Sequence, residues 1–149
     1  MLGRLDEFLL HRVFQPVADA MAGFTTPADV ARCCVTGAMV FVLARMLAAG
    51  VPAVPDWTVL LDLLGLWAGM VVLRSLTDAS GGGRLNPLCV QFALGRPILA
   101  VVTVLTLLLG VRSLAQSFTL MQTALWCMTL YFGSCTPPQK VRAGWPPRR

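Results

Sequence analysis

The stretch Trp57–Leu76, WTVLLDLLGLWAGMVVLRSL, constrains this chain most. It is twenty residues long and almost wholly apolar, the length a helix needs to cross the hydrocarbon core of a bilayer. It also holds an acid, Asp62, and two glycines, Gly65 and Gly69, in G-x-x-x-G spacing. Asp62, Gly65, Gly69 and Val72 step by three and four residues, so they share one face of a helix. Such a face brings a neighbouring helix close, and its acid cannot be left facing lipid.

The rest of the composition agrees. Only 13% of the 149 residues are charged, against about a quarter in soluble domains, and the mean hydropathy is +0.72. A chain of this length is one domain. The net charge is +5. Its basic residues flank apolar runs, so anionic lipid headgroups are the expected partner and nucleic acid is not. Met1–Arg12 holds Asp6 and Glu7 and has no uninterrupted apolar core, so the N-terminus is expected to remain attached. Cys33, Cys34, Cys89, Cys127 and Cys135 form no C-x-x-C and imply no disulfide framework.

Taken in order, residues 1–25 are amphipathic. Leu5, Leu9, Val13, Val17, Ala20 and Phe24 recur near helical spacing, largely separated from the charged residues. The segment is too charged to span, and it reads as an in-plane interfacial helix, bent or interrupted near Pro16. The alternative is a cytosolic helix packed on the bundle's own loops. Thr26-Pro27-Ala28-Asp29 is a helix start, with Thr26 as cap, Pro27 in the first position and Asp29 three residues after the cap. A span over 30–49 follows, stopped by Gly50 and Pro52. The second span covers 57–76, with Trp57 as an interface anchor. Residues 77–86 form a Gly-rich polar loop without the Gly-Lys-Ser/Thr of a phosphate-binding loop. Over 88–113 the chain is either a short amphipathic segment before a span at 97–113, or one helix kinked at Pro97. The first is favoured because Arg96 is costly at depth. The fourth span covers 117–133. The tail, 135–149, has two Pro-Pro pairs and is expected to be extended. The expected fold is therefore an all-α integral membrane protein: an antiparallel bundle of four transmembrane helices over 28–134, with an interfacial helix before it and a basic tail after it.

Orientation follows from Lys and Arg. Four spans place Arg4, Arg12, Arg32, Arg74, Arg84, Arg96, Lys140, Arg142, Arg148 and Arg149 on one side, and Arg45 and Arg112 on the other. The positive-inside rule then puts both termini in the cytoplasm, with a bacterial inner membrane as the expected location. Arg74, Arg84, Arg96, Lys140, Arg142, Arg148 and Arg149 are the expected contacts for lipid headgroups or a partner.

Arg45 lies five residues before Gly50, and Asp62 five after Trp57. At 1.5 Å per residue both sit about 7–8 Å inside the outer end of their helices. Two consecutive helices joined by a short loop are antiparallel neighbours, so the two groups come level and are expected to form an intramembrane ion pair, with Arg112 as the rival partner for Asp62. The Gly65/Gly69 face is the expected packing surface.

No catalytic or cofactor chemistry is expected. His11 has no second His and no spaced acid pair beside it, and adjacent Cys33-Cys34 cannot readily point one way on a helix. No G-x-S-x-G or H-E-x-x-H occurs. Thr103, Thr106, Gly110 and Ser113 would share a face of the third span, and Thr119, Gln122, Trp126, Thr129 and Gly133 a face of the fourth. Both read as helix-packing surfaces. Small multidrug transporters resemble this chain in four-span size, but their signature acid lies in the first span, which has none here. Holins resemble it only in small size and a basic tail. The expected function is that of a structural or accessory subunit, not an enzyme, which binds other membrane proteins through its spans and cytoplasmic tail. A homo-oligomeric, holin-like pore and a proton- or cation-coupled transporter using Asp62 are the alternatives.

Reporter fusions test the topology. Fusions at Ala53 and at Arg149 are expected to report opposite sides of the membrane; the same side for both would exclude four spans.

Overall fold

A computed structural model describes residues 2–49, 57–79, 95–110 and 113–136. Among these the fold is all helical. Helix α1 covers 2–21 in three joined segments, α-helical Leu2–Phe8, π-helical Leu9–Phe14 and α-helical Gln15–Met21. The wide turn has a local cause. Pro16 has no N–H to donate and its ring crowds the carbonyl four residues back. The helix takes in an extra residue per turn just before it, and the Gln15 N–H donates to the Leu10 carbonyl, five back. The helix continues through Pro16 rather than stopping.

Helix α2 is Pro27–Ala49. Its start is a reciprocal cap. The Asp29 N–H donates to Thr26 Oγ1 at 3.2 Å, and the Thr26 hydroxyl donates to Asp29 Oδ2 at 2.6 Å. Helix α3 is Trp57–Ala79, α4 is Gly95–Leu109 and α5 is Leu114–Ser134. Periodicity carries a helix through Gly110 to 113, but α4 ends at Leu109. Gly110 has φ +77, a left-handed conformation that stops a helix and suits glycine. Gly110 and Ser113 therefore do not extend the Thr103/Thr106 face. Ser113 instead caps α5, its Oγ accepting the Gln116 N–H at 3.2 Å. The choice between one kinked helix and two segments turns on 88–94, outside the described residues.

The helices pack as an open row in the order α3, α2, α5, α4. Helix α5 lies between α2 and α4, whereas α3 and α4 have no substantial contact among the described residues. Directions alternate. Ala31 and Val35 of α2 cluster with Val72 and Leu76 of α3, while Arg45 near the end of α2 meets Asp62 near the start of α3. Phe41 of α2 meets Phe118 of α5, and Ala31 lies in the same cluster as Phe132 and Cys135. One end of the row thus gathers the start of α2, the end of α3, the start of α4 and the end of α5, with α1 across it. Arg4, Arg12, Arg32, Arg74 and Arg96 all lie at this α1 end, and Arg45 at the far end.

Two helices, α2 over Pro27–Leu47 and α3 over Val59–Thr77, are long and apolar enough to cross a membrane, and only 28% and 22% of these stretches are covered by protein. Helix α4 is apolar but has 15 residues, about 22 Å at 1.5 Å each. Helix α5 has the length, with Gln116, Gln122 and several hydroxyl residues along it.

The face carrying Asp62, Gly69 and Val72 is buried, and its two glycines differ. A methyl group on Gly69 would lie 2.8 Å from Met39 Cγ and Sδ and 3.4 Å from Trp126, whereas on Gly65 it would meet only Gln122 Nε2, at 4.0 Å. At Gly69, side chains of α2 and α5 press directly on α3. We predict that Gly69→Ala lowers stability by about 1–3 kcal/mol through overpacking. Gly65→Ala should be neutral or stabilising by up to about 1 kcal/mol from helix propensity. Thermal unfolding of both variants in detergent checks this; equal losses would contradict it.

Candidate functional site: two ion pairs at opposite ends of the row

The far end is organised by Arg45 of α2. Its guanidinium grips Asp62 of α3 with two nitrogens, Nη2 to Oδ1 and Nε to Oδ2, the latter at 3.2 Å. Its third nitrogen, Nη1, donates to Thr119 Oγ1 of α5 at 3.3 Å. Asp62 is 5% exposed, while the Arg45 side chain keeps 26% of its surface. The fork geometry suits a carboxylate, so one arginine ties three helices at one level. Gln122, one turn along α5 from Thr119, faces Gly65 and has a buried Oε1 without a partner. Arg112, the rival partner, lies outside the described residues.

The α1 end holds a second pair that the sequence reading does not contain. Arg96 Nη2 of α4 donates to Asp6 Oδ2 of α1 at 2.7 Å, and both residues are buried, at 5% and 8% exposure. The Arg96 guanidinium also stands 5.8 Å from the centre of the Tyr131 ring, within reach of a cation–π attraction. Phe14 of α1 stacks on the same Tyr131 ring, the two centres 4.4 Å apart and the planes nearly parallel, and meets Phe132 edge-on. Gln15 of α1 exchanges hydrogen bonds with Thr136, accepting from the backbone N–H at 3.1 Å and donating to the carbonyl at 3.1 Å. Arg96 Nε and Nη1 are buried without a hydrogen-bond partner, and the buried Tyr131 hydroxyl lies beside Asp6.

This geometry turns Arg96 inward onto Asp6, where the guanidinium is buried in the first turn of α4 and its charge is neutralised. It also adjusts the reading of α1. The inward face is Asp6, Leu10, Phe14 and Ala18, one residue on from the Leu5/Leu9/Val13/Val17 stripe. Leu5, Val13 and Val17 are exposed. Arg74 is exposed at the α1 end. Arg84, Lys140, Arg142, Arg148 and Arg149 lie outside the described residues.

The remaining polar groups are largely absorbed by the helices. The hydroxyls of Thr103, Thr106, Thr123, Thr129 and Ser134 donate to the carbonyl four residues back. Thr129, Gly133 and the half-buried Gln122 and Trp126 are turned into the row. His11 and Cys33 are exposed, Cys34, Cys127 and Cys135 are buried, and no cluster of metal-ligating side chains occurs among the described residues. Cys89 lies outside them. What the two sites can do chemically is hold charge: each neutralises an arginine and a carboxylate and joins helices distant in sequence. Comparison with family models, curated proteins and solved structures finds no match to this chain.

A charge-swap cycle measures the far-end pair. Asp62→Ala and Arg45→Ala should each destabilise by about 2–3 kcal/mol, below the 3–5 kcal/mol of a fully buried pair, because Arg45 stays partly exposed. Arg45→Asp with Asp62→Arg should recover a large part of what either swapped single variant loses. Unfolding measurements in which the double variant is no better than the singles would mean the two residues are not energetically coupled.

Proposed function

We propose that the chain crosses a membrane four times, with its α1 end and both termini in the cytoplasm, and serves as a structural or accessory subunit for other membrane proteins. The observation that carries this reading is the open row. Helix α3 exposes Leu61, Leu64 and Trp67, and α4 exposes Leu105, Leu108 and Leu109. These outer faces are apolar enough for lipid or for another helix. They flank a row whose own polar groups are mostly turned inward. The segregation of the described arginines, five at the α1 end and Arg45 at the far end, supports the orientation. A short α4 is accommodated by local thinning of the bilayer or by its flanking residues.

The bidentate grip on Asp62 favours a structural role for that acid over exchange of a proton or cation. A carboxylate held by two guanidinium nitrogens and nearly sealed from solvent is already neutralised. In the accessory-subunit reading, the basic tail adds a cytoplasmic contact for a partner or for anionic headgroups. A bacterial inner membrane is the proposed location.

Isolation in mild detergent tests this. A different membrane protein co-purifying in fixed proportion is the expected result. A ring of this chain alone would overturn it in favour of a pore, and a monomer or dimer with Asp62-dependent ion flux would overturn it in favour of a transporter.

A further inference from the structure

Arg96 is the most conspicuous unspent group in the molecule. It is 5% exposed, yet only one of its three nitrogens, Nη2, has a hydrogen-bond partner, Asp6 Oδ2. The other oxygen of Asp6 is buried and not bonded to Arg96, and the Tyr131 hydroxyl stands beside Asp6. A desolvated pair that uses one bond of a possible two is weakly compensated for leaving water. The carboxylate comes from α1, which among the described residues is also held by Phe14 on Tyr131 and Phe132, by Leu10 and Ala18 in the core cluster, and by Gln15 on Thr136. The outward side of α1 is amphipathic, with Arg4, Arg12 and Asp19 exposed among apolar residues. Leu5, Phe8, Val13 and Val17 are exposed along it, and Phe24 beyond it is 96% exposed.

We infer that Arg96 is a phosphate site for an anionic lipid headgroup, closed by Asp6 as a latch. A phosphodiester offers the same pair of anionic oxygens as a carboxylate and can use the nitrogens that Asp6 leaves idle. When a headgroup takes Arg96, Asp6 is released to water and α1 swings its apolar side into the interface. Helix α1 therefore has two seats, one on the row and one in the lipid, and the density of anionic headgroups sets its occupancy of each. The inference rests on the proposed placement of the α1 end at the cytoplasmic headgroups.

Tyr131 is the single tyrosine of the chain, and it lies between Phe14 and Arg96. The full chain carrying 3-fluorotyrosine gives one fluorine resonance that reports the Phe14 stack directly. In vesicles of phosphatidylcholine the docked resonance is expected. Increasing phosphatidylglycerol should transfer intensity to a second resonance, the one that Asp6→Asn shows in phosphatidylcholine alone. Inorganic phosphate in place of phosphatidylglycerol should leave the docked resonance unchanged; an equal response to it would overturn the lipid assignment. Arg96→Gln, which keeps an N–H donor for Asp6 but has no charge for phosphate, should lose the response to phosphatidylglycerol. A wild-type response in that variant would overturn the latch. The wild-type titration needs no variant to fold. If the chain resists alkaline extraction from the vesicles and its resonance never moves with phosphatidylglycerol, this inference alone fails. If alkali strips the chain off, the membrane-spanning reading fails and takes the inference with it.

Discussion

A charge removed from water must find an opposite charge, and two such pairs set how these helices lie. Arg45 and Asp62 join α2 to α3 and reach α5 through Thr119. Asp6 and Arg96 join α1 to α4 beside Tyr131 of α5. Apolar packing between such helices is not directional, and leucine faces slide over one another at little cost. The pairs are directional, and each accepts only one relative height of its helices. The cluster of Ala18, Ala31, Val35, Val72, Leu76, Phe132 and Cys135 then closes in the register that the charges allow.

The two pairs are not equivalent. Arg45 uses all three nitrogens and stays partly exposed, so its desolvation is modest and its bonding is complete. Arg96 is more deeply buried and uses one nitrogen. By the reasoning that makes a fully satisfied pair rigidifying and a half-satisfied one costly, Arg45–Asp62 is the firmer of the two pairs and Asp6–Arg96 the weaker. The apolar core lies at the α1 end, and side chains of α2 and α5 press on Gly69 midway along α3.

What sequence reasoning could reach depended on distance along the chain. Helix type, the Thr26 cap and the level of Arg45 with Asp62 follow from local counting, because consecutive helices joined by a short loop need no further information. Gly110 was misplaced because its spacing fits a helix face while its φ of +77 does not, and periodicity carries no information about φ. Asp6 with Arg96 was out of reach. The two are 90 residues apart, and Asp6 sits in a segment whose obvious apolar stripe is one residue away. Asp6, Leu10, Phe14 and Ala18 form a second face, and an acid at its head disguises it as solvent-facing. The π turn before Pro16 further shifts the phase between the two halves of α1. The openness of the row was not legible either, since helical spacing says which face is apolar and not which neighbour covers it.

Helix α5 stands between α2 and α4, yet it is the last of the five to leave the ribosome. The α2–α3 hairpin can form its ion pair while α4 is still being made. Helix α4 has no helix beside it in the row until residues 114–134 emerge, and Arg96 must wait next to an α1 that itself rests on Tyr131, Phe132 and Thr136. The row can therefore close only once α5 is made, and both α1 and α4 depend on that helix for their seats.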